Sequence, residues 1–416
     1  MDFSSQLANL QKTAASASAD RRGGDGHSSQ QGRAKRPRHR RHYFNETAMK
    51  KALATLPHYR PRKQSPNATH RHIALLFITI DDLPYEHIWK EWMSSQDDDD
   101  DIHVSVVCHA KFPERVKSEW LQQRLLVQPP KLGRGNEYEP LKYHSRRPEW
   151  GSIEITQAML DLLHEGLAIG HKFDPRFPAE RYGHYEPVDK FIFVSETCLP
   201  VSTLKEVKMT LLGSSSSSPY DYCSWVNARN TPNNGYPRQQ QFEKVDPVID
   251  SKYIYKADQW MVLARDHATA VMELDDRHHL LPRGAFLWQC FVDTNASDEL
   301  YFPTALALLG ILPSCHVIQR RVTFCDWSVG ARNPASFTKG VEDLKRVAAI
   351  ARKEGCLFAR KFSPFEVLPD DDPSKEEEEP TGQITVEEWK ECIHALAEQS
   401  VEQVAEQSTE KSQTDT

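Results

Sequence analysis

Apolar positions along this chain follow two rhythms. Ile73-Ala-Leu-Leu-Phe-Ile-Thr-Ile80 is continuously apolar and β-rich, which predicts a strand covered on both faces. Phe191-Ile-Phe-Val194 predicts a second buried strand. It ends abruptly in Ser195-Glu-Thr-Cys-Leu-Pro200. Between them, Ile153–Leu167 carries apolar residues at helical spacing and is entered through Pro148-Glu-Trp-Gly-Ser152. The same reasoning predicts helices over Tyr85–Met93, Val116–Leu126, Leu204–Leu212 and Asp266–Leu274, and strands over Ile102–His109 and Val317–Cys325. Strands and helices alternate from residue 72 to 366, which predicts one α/β domain, Rossmann-like, with a mostly parallel sheet. Ligands of open α/β sheets bind beyond the carboxyl ends of the strands, so the polar elbow at 195–200 is a candidate site edge. Ser, Thr and Pro are also ordinary turn residues, and every buried strand must end.

Charge separates this domain from its flanks. Residues 1–71 lack a sustained period and are rich in Ser, Gln, Gly, Arg and His. Through residue 72 they hold fifteen Lys and Arg against four Asp and Glu. Residues 366–416 hold three against sixteen, so the net charge of −7 is the sum of two opposed ends around a near-ordinary centre. This predicts a disordered basic tail over 1–71, an acidic linker over 367–383 and a short tail over 409–416. Within 384–408, Thr385 and Glu388 form a capping box ahead of Val386, Trp389, Ile393 and Leu396. That is an amphipathic helix, for which docking on the core is the favoured reading over partner binding. The cluster Lys35–His42 reads as a solvated tail, a nucleic-acid patch or a membrane-proximal flank. Nothing else in the chain supports a nucleic-acid partner.

Several function classes lose ground. None of the eight cysteines stands in a CxxC or Cys/His spacing that would hold zinc. The run Asp97–Asp101 reads as a solvated loop rather than a cation site, so no metal is expected. Gly-rich phosphate loops, a Gly-x-Ser-x-Gly elbow and HExxH are all missing. No stretch reaches the roughly 18–20 apolar residues of a membrane span, and Met1–Ser5 lacks a signal-peptide core. Three sequons, at Asn45, Asn67 and Asn295, matter only in a secretory lumen.

Three further constellations can carry chemistry. Asp298-Glu299 precedes an apolar helix; acids there cap the helix, or one of them serves as a general base at a cleft rim. Phe358-Ala-Arg-Lys-Phe362 places Arg360 and Lys361 between apolar residues, as a phosphate clamp or as a surface strand alternating in and out. Asp326-Trp327-Ser328 offers an aromatic just after a strand, for stacking on a sugar or for the core.

Taken in order, Glu149-Trp-Gly-Ser152, Phe191–Pro200, Tyr255-Lys-Ala-Asp-Gln-Trp260, Asp298-Glu299, Tyr301-Phe-Pro-Thr304, Asp326-Trp-Ser328 and Phe358–Ser363 resemble the core-2/I-branching β-1,6-N-acetylglucosaminyltransferase family, with the plant-type branch nearest. The resemblance implies a GT-A-type glycosyltransferase fold. It also implies inverting transfer of a sugar, N-acetylglucosamine by preference, from a UDP-sugar to a glycan or glycoprotein hydroxyl, with no cofactor and no divalent metal. By resemblance Glu299 is the catalytic base, Lys361 and Arg360 hold the donor diphosphate, Trp327 lies in the acceptor site, and Trp150, Ser195 and Glu196 shape the donor side. His109 stands where animal members place an acidic residue, and Arg332 and Lys339 both compete for a second diphosphate contact. The family implies a Golgi lumenal, membrane-associated protein, although no signal anchor is visible in this sequence. A non-catalytic sugar-nucleotide or glycan binder on the same fold is the competing reading.

Overall fold

The computed structural model describes residues 45–60, 71–94, 102–127, 143–169, 187–213, 219–230, 245, 247–274, 280–328, 333–364 and 382–399. The chain runs α1 (Glu46–Leu53), β1 (Arg71–Thr79), α2 (Glu86–Ser94), β2 (Ile102–Ala110), the single turn α3 (Glu119–Gln122), α4 (Ile153–Ala168), β3 (Lys190–Ser195) and β4 (Leu199–Pro200). It continues through α5 (Leu204–Leu212), β5 (Ser224–Trp225), β6 (Val262–Ala264), α6 (Arg265–Met272), α7 (Asp298–Leu308), β7 (Val317–Ile318), β8 (Thr323–Cys325), α8 (Val341–Lys353) and β9 (Phe358–Arg360), and closes with a helix α9 over 386–399.

The main sheet has strand order β2-β1-β3-β6-β5-β7. Pairs β1/β2, β1/β3 and β5/β7 are parallel, while β6 runs antiparallel to both of its neighbours. This is the mostly parallel α/β architecture the apolar runs predict. Its physical basis is visible in β1, where Ala74 and Leu76 enter one hydrophobic cluster while Ile73, Leu75 and Phe77 enter the other. β3 divides likewise into Phe191 and Phe193 against Ile192 and Val194. Side chains alternate across a strand, so a continuous apolar run must be covered on both faces. Helices α4, α6 and α7 cover the first face. Helices α2, α5 and α8 cover the second, together with a three-stranded sheet of order β4-β9-β8.

That small sheet departs from the expected single sheet. The segment 317–325 reads as one strand, yet Val317–Ile318 joins the main sheet and Thr323–Cys325 joins the small one. The elbow likewise carries the chain from one sheet into the other, because Leu199 and Pro200 pair with Ala359 and Phe358. The stretch 116–126 keeps only the four-residue turn α3, since the backbone N–H of Cys108 and the carbonyl of Cys108 bond Arg124 and Leu126 along the edge of β2.

The expected disorder over 1–71 does not extend to 46–60. Asn45 caps α1 through Ala48 N, and α1 buries Met49 and Leu53 in the first cluster. Tyr59 N donates to the Leu309 carbonyl at 2.9 Å. Two apolar residues four to a turn, with a cap, suffice for a short docked helix that a basic average composition conceals.

Helix α9 docks on the second face. Trp389, Cys392 and Ile393 are buried there, Trp389 Nε1 donates to the Pro200 carbonyl at 2.9 Å, and Lys390 pairs with Glu91. Residues 1–44, the acidic runs 97–101 and 370–380, and Arg332 lie outside the described residues. Among the described residues no helix is long and apolar enough to cross a membrane, and no group of three His, Cys, Asp or Glu is arranged to hold a metal ion.

Candidate active site

Strands β1 and β3 are parallel neighbours and end side by side, with Ile78 opposite Ser195. Asp81 follows one and Glu196 the other. The adjacent β9 brings Arg360 and Lys361 to the same edge. Burial raises the Glu196 carboxyl above the usual range, while the charges of Arg360 and Lys361 pull it back and Asp81 adds to the rise. Burial also lowers the Lys361 ammonium to about 8, with the neighbouring Arg360 charge acting in the same direction. Among the described residues neither cation makes an ion pair within 4.0 Å. Arg360 Nε is buried without a hydrogen-bond partner. Two half-buried cations with Glu196 as a nearby counter-charge form a site suited to an anion.

The backbone fixes this pair from both sides. Phe362 N donates to the Thr197 carbonyl at 2.9 Å, and Phe337 N to the Lys361 carbonyl at 2.7 Å. Ser195 lies beneath, its hydroxyl 3.0 Å from Thr197 Oγ1 and 3.3 Å from Cys198 Sγ, so it is a buried structural group at the elbow. On the far side the Arg360 guanidinium lies over the Trp260 ring, 4.4 Å from its centroid, which holds the fork in place without neutralising it.

Glu299 occupies the first turn of α7. Lys256 Nζ lies 3.0 Å from its Oε2, and Ala257 N donates to its carbonyl at 2.8 Å. Asp298, beside it, is buried with Oδ1 unpartnered; burial, then the Glu299 charge, push its carboxyl up to about 7.

The two halves meet through one short segment. Lys256 touches Glu299 and Trp260 touches Arg360, and four residues of extended chain span at most about 14 Å. The motif Tyr255–Trp260 was quoted from the sequence without any role for Lys256 or Trp260, and only the fold shows that it joins the carboxylate to the cations. The signal available in sequence was a cation and a tryptophan inside one motif.

The backbone beside Trp150 packs on the turn that leads into Glu299. Ala296 N donates to the Gly151 carbonyl at 3.0 Å, and Thr156 Oγ1 lies 2.7 Å from Ser297 Oγ. The Glu-Trp-Gly-Ser motif thus braces the turn that enters α7. Gly151 has φ +71°, and a Cβ there would sit 2.5 Å from Asn295 Oδ1 and 3.2 Å from Ala296 N. Trp150 and Trp327 are the two exposed tryptophans, each 54 % accessible, while the other seven are buried or half-buried. Trp327 follows β8, whose Cys325 is registered with Arg360, and the turn at Asp326 is closed by Ser328 N at 2.9 Å.

His109, at the end of β2, is buried with neither ring nitrogen hydrogen-bonded; burial, helped by the Arg146 charge, lowers it to about 4. Lys339 is exposed, its ammonium 4.0 Å from Glu342, and it lies two residues after Phe337, whose N–H bonds the Lys361 carbonyl.

With this geometry in hand, comparison with known proteins gives two matches. Residues 186–348 match the model of the family described as Core-2/I-Branching enzyme. Glycosyltransferase BC10 of Oryza sativa subsp. japonica is 23 % identical over 336 residues, which cover 70 % of this chain and 73 % of that protein. The family match contains the elbow, the 255–260 segment, Glu299 and Trp327; the rice protein extends the similarity beyond it.

Proposed function

We propose that this chain is a glycosyltransferase of the core-2/I-branching type, catalysing an inverting, metal-independent transfer of a sugar, N-acetylglucosamine by preference, from its UDP conjugate to a glycan or glycoprotein hydroxyl; its similarity to that family's model and to the rice glycosyltransferase supports the reading. The observation that carries the proposal is the pairing, through one six-residue segment, of the Glu299 carboxylate with two cations, Arg360 and Lys361, that make no ion pair within 4.0 Å among the described residues.

In this reading Glu299 takes the proton of the acceptor hydroxyl. The acceptor oxygen then forms the new bond to the anomeric carbon from the face opposite the leaving group. The bond from that carbon to the UDP oxygen breaks and its electron pair leaves with the diphosphate. Arg360 and Lys361 stabilise the developing negative charge from fixed positions, which is where electrostatic catalysis is most effective. Trp327 offers its exposed ring to an acceptor sugar. Glu196 tempers the two cations so that the diphosphate can leave after transfer. Action in the Golgi lumen, with membrane association, is part of the same proposal and follows from the family.

Glu299→Gln is expected to retain UDP binding by calorimetry and to lose transfer by at least a hundredfold, since general-base catalysis contributes 10²–10⁴. Wild-type turnover in that variant removes Glu299 as the base. Unchanged turnover in excess EDTA is expected; loss that added Mg²⁺ or Mn²⁺ restores would overturn metal independence. UDP binding without turnover on any acceptor or on water would instead favour a non-catalytic binder on this fold.

A further inference from the structure

Lys256 is held more firmly than an ordinary surface cation. Its backbone exchanges two hydrogen bonds with Arg229, Arg229 N to the Lys256 carbonyl at 2.7 Å and Lys256 N to the Arg229 carbonyl at 3.0 Å. On one side Tyr255 N donates to Thr304 Oγ1 at 3.2 Å; on the other Ala257 N donates to the Glu299 carbonyl at 2.8 Å. The main chain around Lys256 is therefore stitched to α7 at the base itself and again five residues further on. The ammonium sits 3.0 Å from Glu299 Oε2, and the two side chains keep 19 and 23 % of their surface accessible. Both side chains are thus partly accessible, while the contacting atom, Glu299 Oε2, is enclosed and meets Lys256 as an ion pair without a hydrogen bond. The ammonium is therefore a fixed counter-charge beside an enclosed carboxylate oxygen, where little water screens the pair.

We propose that Lys256 is a positioning residue for the catalytic base, its ammonium fixing the orientation of the Glu299 carboxylate and favouring the ionised form that accepts the acceptor proton. The inference rests on Glu299 being the base. Lys256 keeps its own protons throughout. The acceptor O–H breaks, its proton passes to Glu299, and the neutral carboxyl then loses its attraction for Lys256 as product forms. Among the described residues, the charged groups beside the base include Lys256 from the segment before β6 and Asp298 on α7; Asp258, two residues along from Lys256, is engaged by Asn227 Nδ2 at 2.9 Å. Asp298 opposes ionisation of Glu299 by like charge. Lys256 supplies the opposite charge at contact distance.

The sign of the effect follows. A cation at ion-pair distance favours a carboxylate, so removing it moves the acid limb of the rate profile to higher pH, by about one unit. The experiment measures UDP release from UDP-N-acetylglucosamine, with water as acceptor, from pH 4 to 9 for the wild type, Lys256→Met, Lys256→Arg and Glu299→Gln. Expected are an upward shift of about one unit and a roughly tenfold loss of rate on the acid limb in Lys256→Met, with UDP affinity within about twofold and the limb restored in Lys256→Arg. An unmoved limb in Lys256→Met, with Glu299→Gln inactive, overturns the proposal and leaves the base assignment standing. An active Glu299→Gln overturns the base assignment instead. Should Lys256→Met fail to fold or turn over too slowly, the ¹³C titration midpoint of Glu299 in folded Lys256→Gln provides the same reading: a higher midpoint supports the proposal and an equal one overturns it.

Discussion

Lys361 and Arg360 are adjacent cations at the end of one short strand, and burial, then the charge of Arg360, oppose the charged form of Lys361. They remain together because β9 is pinned between β4 and β8 and because Trp260 and Glu196 supply compensating contacts on two sides. A bound diphosphate would relieve the repulsion, so the free protein is poised for an anion. Truncation tests this at single-residue scale. Lys361→Ala is expected to weaken UDP binding by about ten- to a hundredfold, the loss of one charge-assisted hydrogen bond, measured by calorimetry. Unchanged affinity would place the diphosphate elsewhere. Such pairs were visible in the sequence as residue types. Their shared lack of an ion-pair partner was not, because it depends on which carboxylates the fold brings near.

The element that links residues to site is the turn into α7, where the stretch 295–297 meets Gly151 and Ser152 from the start of α4. Ala296 adopts φ +54°, a left-handed conformation that costs a non-glycine residue about 1–2 kcal/mol. The bond from Ala296 N to the Gly151 carbonyl and the contact between Thr156 and Ser297 hold it there. Gly151→Ala places a Cβ against Asn295 Oδ1 in a backbone conformation that disfavours side chains. We expect a loss of about 1–3 kcal/mol of stability by denaturant unfolding, and a fall in turnover beyond what the unfolded fraction explains, with UDP affinity retained in the folded protein. Equal turnover per folded molecule would mean that the brace does not hold Glu299 in place. The sequence marked Glu-Trp-Gly-Ser as a motif and assigned Trp150 to the donor side. Contacts made across about 145 positions pack the residues after Trp150 on the turn that carries Glu299, and no local pattern encodes a contact of that range.

At the scale of the whole molecule, two buried histidines set the acid tolerance of the fold. Burial lowers His109 to about 4 and His267 to about 3, His109 aided by the charge of Arg146 and His267 by that of Lys190. In the unfolded chain each takes up a proton near its ordinary value of about 6.5, while the folded protein refuses it until the lower value is reached. Stability contributed by the neutral, buried rings is therefore complete above about 6.5 and is lost as pH falls toward 4 and 3. At pH 5 each costs about 2 kcal/mol, since both lie in fully packed surroundings. Thermal unfolding is expected to fall by several degrees between pH 7 and 5, and His267→Phe should flatten the slope. An equal slope in that variant would assign the acid sensitivity to other groups.

How far the sequence reached depends on the range of the forces involved. Periodicity alone determined the α/β class, the two central strands and α9, because burial on both faces of a strand or along one stripe of a helix imposes a repeat that neighbouring residues must obey. The residues that make the candidate site were also on the page as motifs in order. Only the tertiary structure decided the rest: that 317–325 divides between two sheets, that 46–53 docks although its surroundings are basic, and that Lys256 meets Glu299 while Trp260 meets Arg360. Those outcomes are set by which distant surfaces close on one another, and a linear pattern carries no information about the partner at the other end.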